Sequence, residues 1–407
     1  MKHYHYLIVG GGLTGDAAAR GILELDVAAS IGMISKESDP PYARPNLSKG
    51  LWKGRPIGKI WRNTRDLGVE LYLERTVTDL DPAKKYLRDN AGGEYTYDKL
   101  LLATGGSPIR LPFGDDHIIY YRDFQDYHRL RTATERGERF LVIGGGFIGS
   151  EIAAALTMIG KKVVMVFPDE SIGANIYPRD LSSFLNDFYR EKGVEVVSGD
   201  VVTGLEHTGN RSTVRTRNGH SFEVDGVVAG IGIRPNQELA QQAGLKVENG
   251  IVVNKYLLTS SPDIYAAGDV ANFFHSALGK RVRVEHEDNA LRMGKLAGRN
   301  MAGAVESYTH VPMFYSDLFE LGYEAVGELS SKLETVADWE EPFKKGVVYY
   351  LDEGRVRGVL LWNVWDSVPE ARALLNAPGP FRAADLQGRL SSKDGQLTSM
   401  VLLGANK

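Results

Sequence analysis

Two stretches of the chain share one order of apolar and glycine positions. Residues 4–9 form an apolar run, residues 10–15 (GGGLTG) are rich in glycine, and residues 17–23 are small and apolar with helical spacing. The same order returns over residues 140–158. Each stretch predicts a buried strand, a tight turn and a helix that packs close to a sheet. We call the turns the first glycine loop (residues 10–15) and the second glycine loop (residues 144–149).

The glycines of both loops follow the spacing G-x-G-x-x-G. This spacing permits a tight turn and a close backbone approach to a pyrophosphate, whose charge meets free N–H groups at the helix N-terminus. One copy alone is weak evidence, because glycine turns occur in many α/β sheets. Two copies in the same context predict two dinucleotides, and the usual pair in one chain is a flavin and a nicotinamide. The six glycines are Gly10, Gly12 and Gly15 in the first loop, and Gly144, Gly146 and Gly149 in the second.

A second apolar strand follows each helix and leads to a carboxylate. Residues 30–35 precede Glu37, which stands 22 positions after the last glycine of the first loop. The strand predicted at Lys162–Phe167 precedes Asp169 and Glu170, and Asp169 stands 20 positions after the last glycine of the second loop. An acid here binds ribose hydroxyls and repels the extra phosphate of NADPH. With no Arg expected nearby, the second site is predicted to prefer NADH.

Composition narrows the classes of function. The 407 residues carry a formal net charge of −4 and include no cysteine, which excludes disulfides, thiolate metal sites and any thiol redox relay. The charge disfavours nucleic-acid binding, and no apolar run reaches the ~18 residues of a membrane helix. The first strand starts at once and leaves no room for a leader, so we expect a cytoplasmic protein. His3 and His5 share a strand face, but the sequence offers no third metal ligand near them, so no metal site is expected.

Several longer segments resemble known flavoprotein reductases. They are similar to the FAD-dependent pyridine nucleotide oxidoreductases of the ferredoxin/rubredoxin reductase and apoptosis-inducing factor group, with the nearest resemblance to apoptosis-inducing factor. The resemblance runs from residue 4 to about residue 365. The segments are 40–52 (PPYARPNLSKGLW), 98–108 (DKLLLATGGSP), 225–236 (DGVVAGIGIRPN), 259–271 (TSSPDIYAAGDVA), 284–303 (VEHEDNALRMGKLAGRNMAG), 313–318 (MFYSDL) and 322–327 (GYEAVG).

The resemblance implies an α/β fold with two Rossmann-like dinucleotide-binding domains, as in glutathione reductase, and a C-terminal α/β domain. The chain's own pattern agrees, since residues 346–363 alternate and turn near 352–354 like a β-hairpin and residues 370–375 are helical in pattern. Trp362 and Trp365 are expected in the core of this last domain. The implied divisions are 1–112 and 240–308 for FAD, 113–239 for NADH, 309–395 for a dimerisation or interface domain, and 396–407 for a tail.

Three catalytic residues are implied by the resemblance. Lys49 is expected near the flavin, where a cation stabilises the reduced ring, and Glu151 is expected to pair with Lys49 beside the nicotinamide. Phe147 is expected to place its ring over the flavin. The structural alternatives are a solvated lysine, a first-turn carboxylate favoured by the helix dipole, and a packed core ring.

Further cofactor contacts follow from the same motifs. Asp269 is expected to bind the ribityl hydroxyls, and Arg44 to contact the flavin or its phosphates unless it forms a structural ion pair. Glu285 and His286 precede a helix starting near residue 288 whose N–H groups are expected to face the flavin ring. Two positions depart from the pattern. Lys36 stands where relatives commonly carry an acid, so that either Glu37 is the ribose ligand or the contact is lost, and Tyr315 stands where apoptosis-inducing factor carries Trp. The remaining expected contacts are Ala103, Thr104, Gly105, Gly232 and Gly268.

These expectations describe a flavoprotein that transfers hydride from NADH to FAD and then passes electrons directly to an external acceptor. The acceptor is a ferredoxin- or rubredoxin-type iron–sulfur protein, a quinone or another small oxidant, because the chain has no cysteine relay. The alternative is an NADH-responsive redox sensor like apoptosis-inducing factor, in which the flavin is reoxidised slowly. A DNA-binding effector is disfavoured by the charge, and a homodimer is a further expectation.

Overall fold

The computed structural model describes residues 1–390, which form one unit on a mostly parallel sheet, a second unit on a parallel sheet, and a C-terminal antiparallel sheet. The predicted α/β class is confirmed. The predicted tail, and the last five residues of the predicted C-terminal domain, lie outside the described residues. Within residues 1–390 no helix has both the length and the apolar character needed to cross a bilayer.

The first unit is built from two separate parts of the chain. Its central strand Lys2–Val9 pairs in parallel with Ile31–Ile34 and Glu94–Leu102, and the distant strand Ile264–Ala266 joins the far side of Glu94–Leu102. Helix Leu13–Leu23 then packs directly against helix Glu287–Met301. The sheet is completed by Glu70–Tyr72 at one edge and by Tyr86–Asp89 and Val77–Asp81 at the other.

Glycines allow these two helices to approach at backbone distance. A Cβ added at Gly298 would lie 2.0 Å from the carbonyl oxygen of Ala18, and one added at Gly21 would lie 2.1 Å from that of Lys295. Any side chain at either position would force the helices apart. The close crossing fixes the late helix against the early one, so that their N-termini are held in one unit.

The second unit is a five-stranded parallel sheet with its own glycine loop. The order of its strands is Val194–Ser198, Lys162–Phe167, Arg139–Ile143, Gly226–Ala229 and Ile118–Tyr120. Its helices are Phe124–Arg136, Phe147–Met158 and Arg179–Glu191, and a small antiparallel sheet is formed by Val202–Thr208, Arg211–Thr216 and Ser221–Val224. Between the two units, Gly106–Pro108 pairs with Ile233–Pro235, so the chain crosses on two adjacent strands.

The C-terminal sheet is antiparallel and includes the predicted hairpin. Strands Lys345–Asp352 and Arg355–Trp362 pair around the expected turn, and helix Val368–Asn376 follows. Trp362 is fully buried and stacks on Tyr323 at 5.6 Å. The full order of strands is Met313–Leu318, Leu321–Gly327, Arg355–Trp362, Lys345–Asp352 and Glu334–Glu341, and a short helix Ala383–Leu386 comes last.

The expected burial of Trp365 was wrong. We expected it in the core, but it is 48% exposed, because it follows the end of the last strand and is not part of the sheet. The remaining short elements of the described chain are Arg44–Leu47, Ile57–Lys59, Thr64–Leu67, Asp115–His117, Glu238–Gln242, Ile251–Val252, Gly268–Val270, Ala271–His275 and Lys280–Val282.

Candidate active site

The first glycine loop turns sharply and leaves an open face. Gly10 has φ of +126°, and a Cβ there would lie 2.0 Å from the carbonyl oxygen of Ala103. Gly12 is the N-cap of helix Leu13–Leu23, and a Cβ at Gly12 would meet no atom of residues 1–390 within 4 Å. The loop therefore offers unpaired N–H groups to a large group that enters from outside, which fits a pyrophosphate.

The second glycine loop repeats this geometry. Gly144 has φ of +115°, and Gly146 caps helix Phe147–Met158 with free space around its Cβ position in the described chain. A Cβ at Gly149 would lie 2.0 Å from the carbonyl oxygen of Gly144, so this glycine is needed for the helix to pack over the end of the strand. Gly15 takes the same position in the first loop, 2.2 Å from the carbonyl oxygen of Gly10.

One large cleft runs from the first loop to the C-terminal sheet, with a volume of about 1190 Å³. A cleft of this size accommodates a dinucleotide. The predicted residues that line it are Gly10, Gly12, Glu37, Arg44, Lys49, Ala103, Thr104, Gly105, Phe147, Glu151, Asp269, Glu285 and His286. The predicted residues outside its described lining are Gly15, Gly144, Gly146, Gly149, Asp169, Glu170, Gly232 and Gly268. The three glycines of the second loop are thus outside the described lining, although Phe147 and Ile148 of the same loop belong to it.

The carboxylate after the first loop is held by two donors. Arg44 Nη2 lies 2.6 Å from Glu37 Oε1, and the Tyr42 hydroxyl donates to Glu37 Oε2 at 2.7 Å. Burial alone would raise the pKa of Glu37, but the charge of Arg44 and the two hydrogen bonds outweigh it, so the pKa is lowered. Arg44 thus forms the structural ion pair while it also lines the cleft, and Lys36 lines the cleft beside it.

Asp269 lies at the first turn of a short helix on the cleft wall. Its carboxylate accepts a hydrogen bond from Arg122 Nη2 at 2.9 Å. Arg283 pairs with Glu285, and burial raises the pKa of Glu285. Arg122 was not anticipated from the sequence, because it lies 147 positions before Asp269 and outside every motif.

Glu151 joins three parts of the molecule at one carboxylate. It is almost fully buried and accepts hydrogen bonds from Lys49 Nζ at 2.7 Å, Ser48 Oγ at 2.6 Å and Ser316 Oγ at 2.5 Å. Ser48 and Lys49 come from the first unit, Glu151 from the second, and Ser316 from the C-terminal sheet. The expected contact between Lys49 and Glu151 is therefore present, and three donors compensate for burial of the charge.

The two serines were missed by the sequence analysis. Both lie inside recognised segments, but a single hydroxyl in a loop or strand carries no spacing signal. Only the fold brings Ser48 and Ser316, which are 268 positions apart in the chain, to the same side chain.

Three aromatic rings meet on the cleft wall beside this carboxylate. The His286 ring stacks on Phe314 at 4.3 Å, and Phe147 contacts both rings edge-on at 5.9 and 5.8 Å. Burial lowers the pKa of His286 to about 4, so its ring is neutral at physiological pH. Tyr315 donates to Glu287 at 3.0 Å, and Lys49 Nζ lies 5.0 Å from the centre of its ring.

Asp169 and Glu170, which follow strand Lys162–Phe167 of the second unit, are exposed. Asp169 accepts a hydrogen bond from Asn175 at 3.3 Å. The expectation that no Arg lies near was wrong, because Arg179 Nη2 lies 3.4 Å from Glu170 Oε2. Residues 171–178 loop back and bring the start of helix Arg179–Glu191 to the strand end, although both side chains of the pair are over 80% exposed.

Known proteins share this architecture. Residues 4–294 match the family described as pyridine nucleotide-disulphide oxidoreductase. Residues 297–341 and 337–377 match the family described as apoptosis-inducing factor, mitochondrion-associated, C-term.

Individual relatives match this chain over most of its length. The chain is 36% identical to mitochondrial apoptosis-inducing factor 1 of Dictyostelium discoideum, over 92% of this chain and 79% of that protein. It is also 36% identical to the 5,5'-dehydrodivanillate O-demethylase ferredoxin reductase subunit of Sphingobium sp. (strain NBRC 103272 / SYK-6), over 92% and 94%. The reductase in the crystal structure of the covalent putidaredoxin reductase–putidaredoxin complex superposes with a TM-score of 0.86 at 29% identity, over 92% of this chain and 93% of that one.

Proposed function

The chain belongs to the pyridine nucleotide-disulphide oxidoreductase family, and on that basis we propose that it is an NADH-dependent reductase of a small ferredoxin-type iron–sulfur protein. It is an FAD-dependent oxidoreductase that takes electrons from NADH and passes them to an external acceptor. The observation that carries the proposal is the Lys49–Glu151 pair, which joins the first unit to the helix after the second glycine loop in a chain without cysteine.

The residues of the large cleft fit FAD. The open face of the first glycine loop suits the pyrophosphate, Glu37 and Lys36 suit the adenosine end, and Asp269 suits the polar chain between phosphate and ring. When bound there, the flavin would supply the chemistry of accepting a hydride and releasing single electrons. The protein's task is orientation and electrostatics.

Lys49 and Glu151 supply the electrostatics. The three donors of Glu151 fix its carboxylate, and the carboxylate in turn holds the Lys49 ammonium at the cleft wall. A fixed cation stabilises negative charge that develops during reduction more than it stabilises the neutral starting state. Lys49 is therefore proposed as the catalytic cation and Glu151 as the residue that positions it.

Three aromatic rings form a wall of the cleft that excludes water, namely those of Phe147, His286 and Phe314. Because His286 is neutral, the three rings exclude water without adding a charge that would compete with Lys49. We propose that Phe147, at the first turn of the helix after the second loop, moves aside to admit the nicotinamide. Asp169 and Glu170 bind the ribose of NADH and disfavour NADPH, as proposed from their place at the strand end.

Electrons leave without a thiol intermediate. The family name refers to disulphides, but this chain contains no cysteine, so an acceptor must approach the cleft from outside. The relatives that act as ferredoxin reductases favour an iron–sulfur protein in that place. We further propose that residues 1–112 and 240–308 hold FAD, that residues 113–239 hold NADH, that the C-terminal sheet covers the flavin, and that the protein is cytoplasmic.

A redox sensor is the second candidate. It is favoured by the match of the C-terminal sheet to the C-terminal family of apoptosis-inducing factor. A sensor holds reduced flavin for a long time, whereas a reductase is reoxidised as soon as its partner is present.

One experiment tests both. The purified holoenzyme is reduced anaerobically with one equivalent of NADH and mixed with oxidised [2Fe–2S] ferredoxin, with a quinone, or with air-saturated buffer. Rapid reoxidation by ferredoxin alone supports the reductase. Slow reoxidation by all three, together with an NADH-dependent change in mass by light scattering, supports the sensor and contradicts the reductase.

A further inference from the structure

Positive charge is concentrated in one segment of an otherwise acidic chain. Residues 44–65 contain seven Lys or Arg and no Asp or Glu, whereas the whole chain has a formal net charge of −4. Four of these cations pair with acids from elsewhere, namely Arg44, Lys49, Lys53 and Arg62. The other three, Arg55, Lys59 and Arg65, leave a net positive charge on this segment.

Two of the remaining cations project from the short loop after Trp52. Arg55 and Lys59 are exposed, and within residues 1–390 neither forms an ion pair with a carboxylate; Arg55 binds only the neutral side chain of Asn46, at 2.9 Å. Arg131, from a different unit, adds a third exposed charge by stacking its guanidinium 5.6 Å from the centre of the Trp52 ring. Because no carboxylate neutralises them, these surface cations add to the positive potential of this face.

This surface borders a small depression that leads to the catalytic pair. The depression is lined by Lys49, Trp52, Lys53, Glu151, Met158 and Asp317. Lys49 and Glu151 line the large cleft as well, so the pair forms the partition between the cleft and this outer face. Lys53 and Asp317 form an exposed ion pair at 2.8 Å on the rim.

Two apolar side chains on this side of the molecule are exposed. Met158 is 52% exposed at the edge of the depression, and Ile57, between Arg55 and Lys59, is 39% exposed. Protein interfaces commonly combine such apolar contacts with a charged rim. A small apolar area surrounded by cations suits a partner with an acidic rim.

We propose that this basic face, defined by Lys53, Arg55, Ile57, Lys59, Arg131 and Met158, binds the acidic surface of the iron–sulfur protein. The inference rests on the proposed function. The bound cluster faces the depression, so that electrons cross only the Lys49–Glu151 partition. Each turnover oxidises one NADH to NAD⁺ and a proton and reduces two one-electron clusters, so two partner molecules dock in succession. The cations accelerate each encounter by steering.

Charge reversal with a matched control tests the proposal. The test variant is Arg55→Glu/Lys59→Glu, and the control is Lys246→Glu/Lys255→Glu, which makes the same change in net charge at exposed lysines of the 240–258 segment. Both FAD-loaded variants are assayed with NADH and an acidic [2Fe–2S] ferredoxin at low and high salt. The rate of flavin reduction by NADH alone, which needs no partner, is measured in parallel.

The expected result is a loss in kcat/KM for ferredoxin of about ten- to a hundredfold at low salt in the test variant only, which shrinks at high salt. Flavin reduction by NADH stays at the wild-type rate in both variants. Equal kcat/KM for ferredoxin in the test and control variants would overturn the proposal that ferredoxin binds at the basic face, but it would not contradict the proposed reductase activity. A wild-type protein that reduces quinone but not ferredoxin would overturn the proposed function and this inference with it.

Discussion

The two glycine loops have the same backbone and opposite surroundings. In the first, the following carboxylate, Glu37, lies in the cleft between Arg44 and Tyr42. In the second, Glu170 and its partner Arg179 are over 80% exposed, 3.4 Å apart. The first loop opens into the large cleft, whereas the three glycines of the second loop are not part of its described lining.

We propose that this difference separates a cofactor that stays bound, at the first loop, from one that exchanges, at the second. A site in a deep cleft, with paired charges in its wall and two closely packed helices behind it, retains its ligand, because release requires the surrounding structure to open. An exposed site with weak surface contacts binds and releases its ligand in each cycle, as a hydride donor must. The motif is therefore the same in both places, and residence time is set by the residues around it.

The largest expected effect comes from adding a methyl group to each loop. Gly10→Ala places a Cβ 2.0 Å from the carbonyl oxygen of Ala103, and Gly144→Ala places one 2.4 Å from that of Gly230, both at positive φ. We expect Gly10→Ala to purify without FAD. Gly144→Ala should keep FAD and lose NADH binding. The flavin-to-protein absorbance ratio and an NADH titration measure the two outcomes.

Gly204→Ala serves as the control, since a Cβ there meets nothing within 4 Å in the described chain. Thermal unfolding of all three variants separates loss of ligand from loss of fold. If Gly144→Ala also loses FAD while remaining folded, the assignment of FAD to the first loop and NADH to the second is wrong.

The next effect concerns the pair that lies between the two regions. Lys49→Ala removes the fixed cation while leaving FAD bound, and we expect flavin reduction by NADH to slow by about ten- to a thousandfold, for ~1–4 kcal/mol of lost charge stabilisation. Glu151→Gln keeps a hydrogen-bonding group for the two serines and should slow reduction less. Anaerobic stopped-flow absorbance gives both rates, and spectroelectrochemistry should show a lower flavin potential in Lys49→Ala. A Lys49→Ala protein with wild-type rate and potential would make Lys49 a structural residue.

A smaller effect tests the positioning role of Ser316. Ser316→Ala removes the donor that the C-terminal sheet gives to Glu151, a loss of about 1–3 kcal/mol for a buried acceptor left short of one partner. We expect a modest decrease in reduction rate, a shift in flavin potential, and partial rescue by Ser316→Thr. Unchanged rate and potential, with only a lower melting temperature, would mean that Ser316 holds the sheet in place and nothing more.

Acid pH should distinguish the two carboxylates. The pKa of Glu37 is lowered from 4.5 in the folded protein. Its ionised carboxylate therefore stabilises the folded protein fully above pH 4.5, and this contribution is lost as the pH falls through the lower pKa of the folded state. Glu37→Gln should flatten this part of the pH dependence of FAD release, followed by flavin fluorescence. Glu170→Gln, at the matching exposed site, should leave the curve as in wild type. Identical curves for both variants would show that Glu37 does not contribute.

The smallest expected effect is on coenzyme choice. Asp169→Ala should narrow the preference for NADH over NADPH by a few-fold, because an exposed carboxylate exerts a screened repulsion on the 2′-phosphate. The ratio of kcat/KM for the two coenzymes measures it. Arg179 lies beside Glu170, so Arg179→Ala should move the ratio in the opposite direction. A ratio near one in the wild type would contradict the role given to Asp169.

Sequence patterns predicted the parts of this molecule that repeat or recur. Glycine spacing and strand patterns gave both loops, the alternation of residues 346–363 gave the C-terminal hairpin, and the resemblance gave the Lys49–Glu151 contact. Patterns did not give Ser316 or Arg122, because their partners are brought to them by tertiary packing and not by spacing. Trp365 was misplaced for a related reason, since a large apolar residue just past a strand end can fall on either side of the sheet.

The central claim is that the first loop holds a resident flavin and the second serves an exchanging donor. The most direct test is an anaerobic titration of the protein as purified, with NADH added in fractions of the flavin content. The account predicts a yellow protein whose flavin absorbance falls in proportion to NADH, with an end point at one NADH per FAD, and whose NAD⁺ separates from it on a desalting column while FAD does not. A colourless protein that fails to take up FAD, or a bound flavin that NADH leaves oxidised, would contradict it.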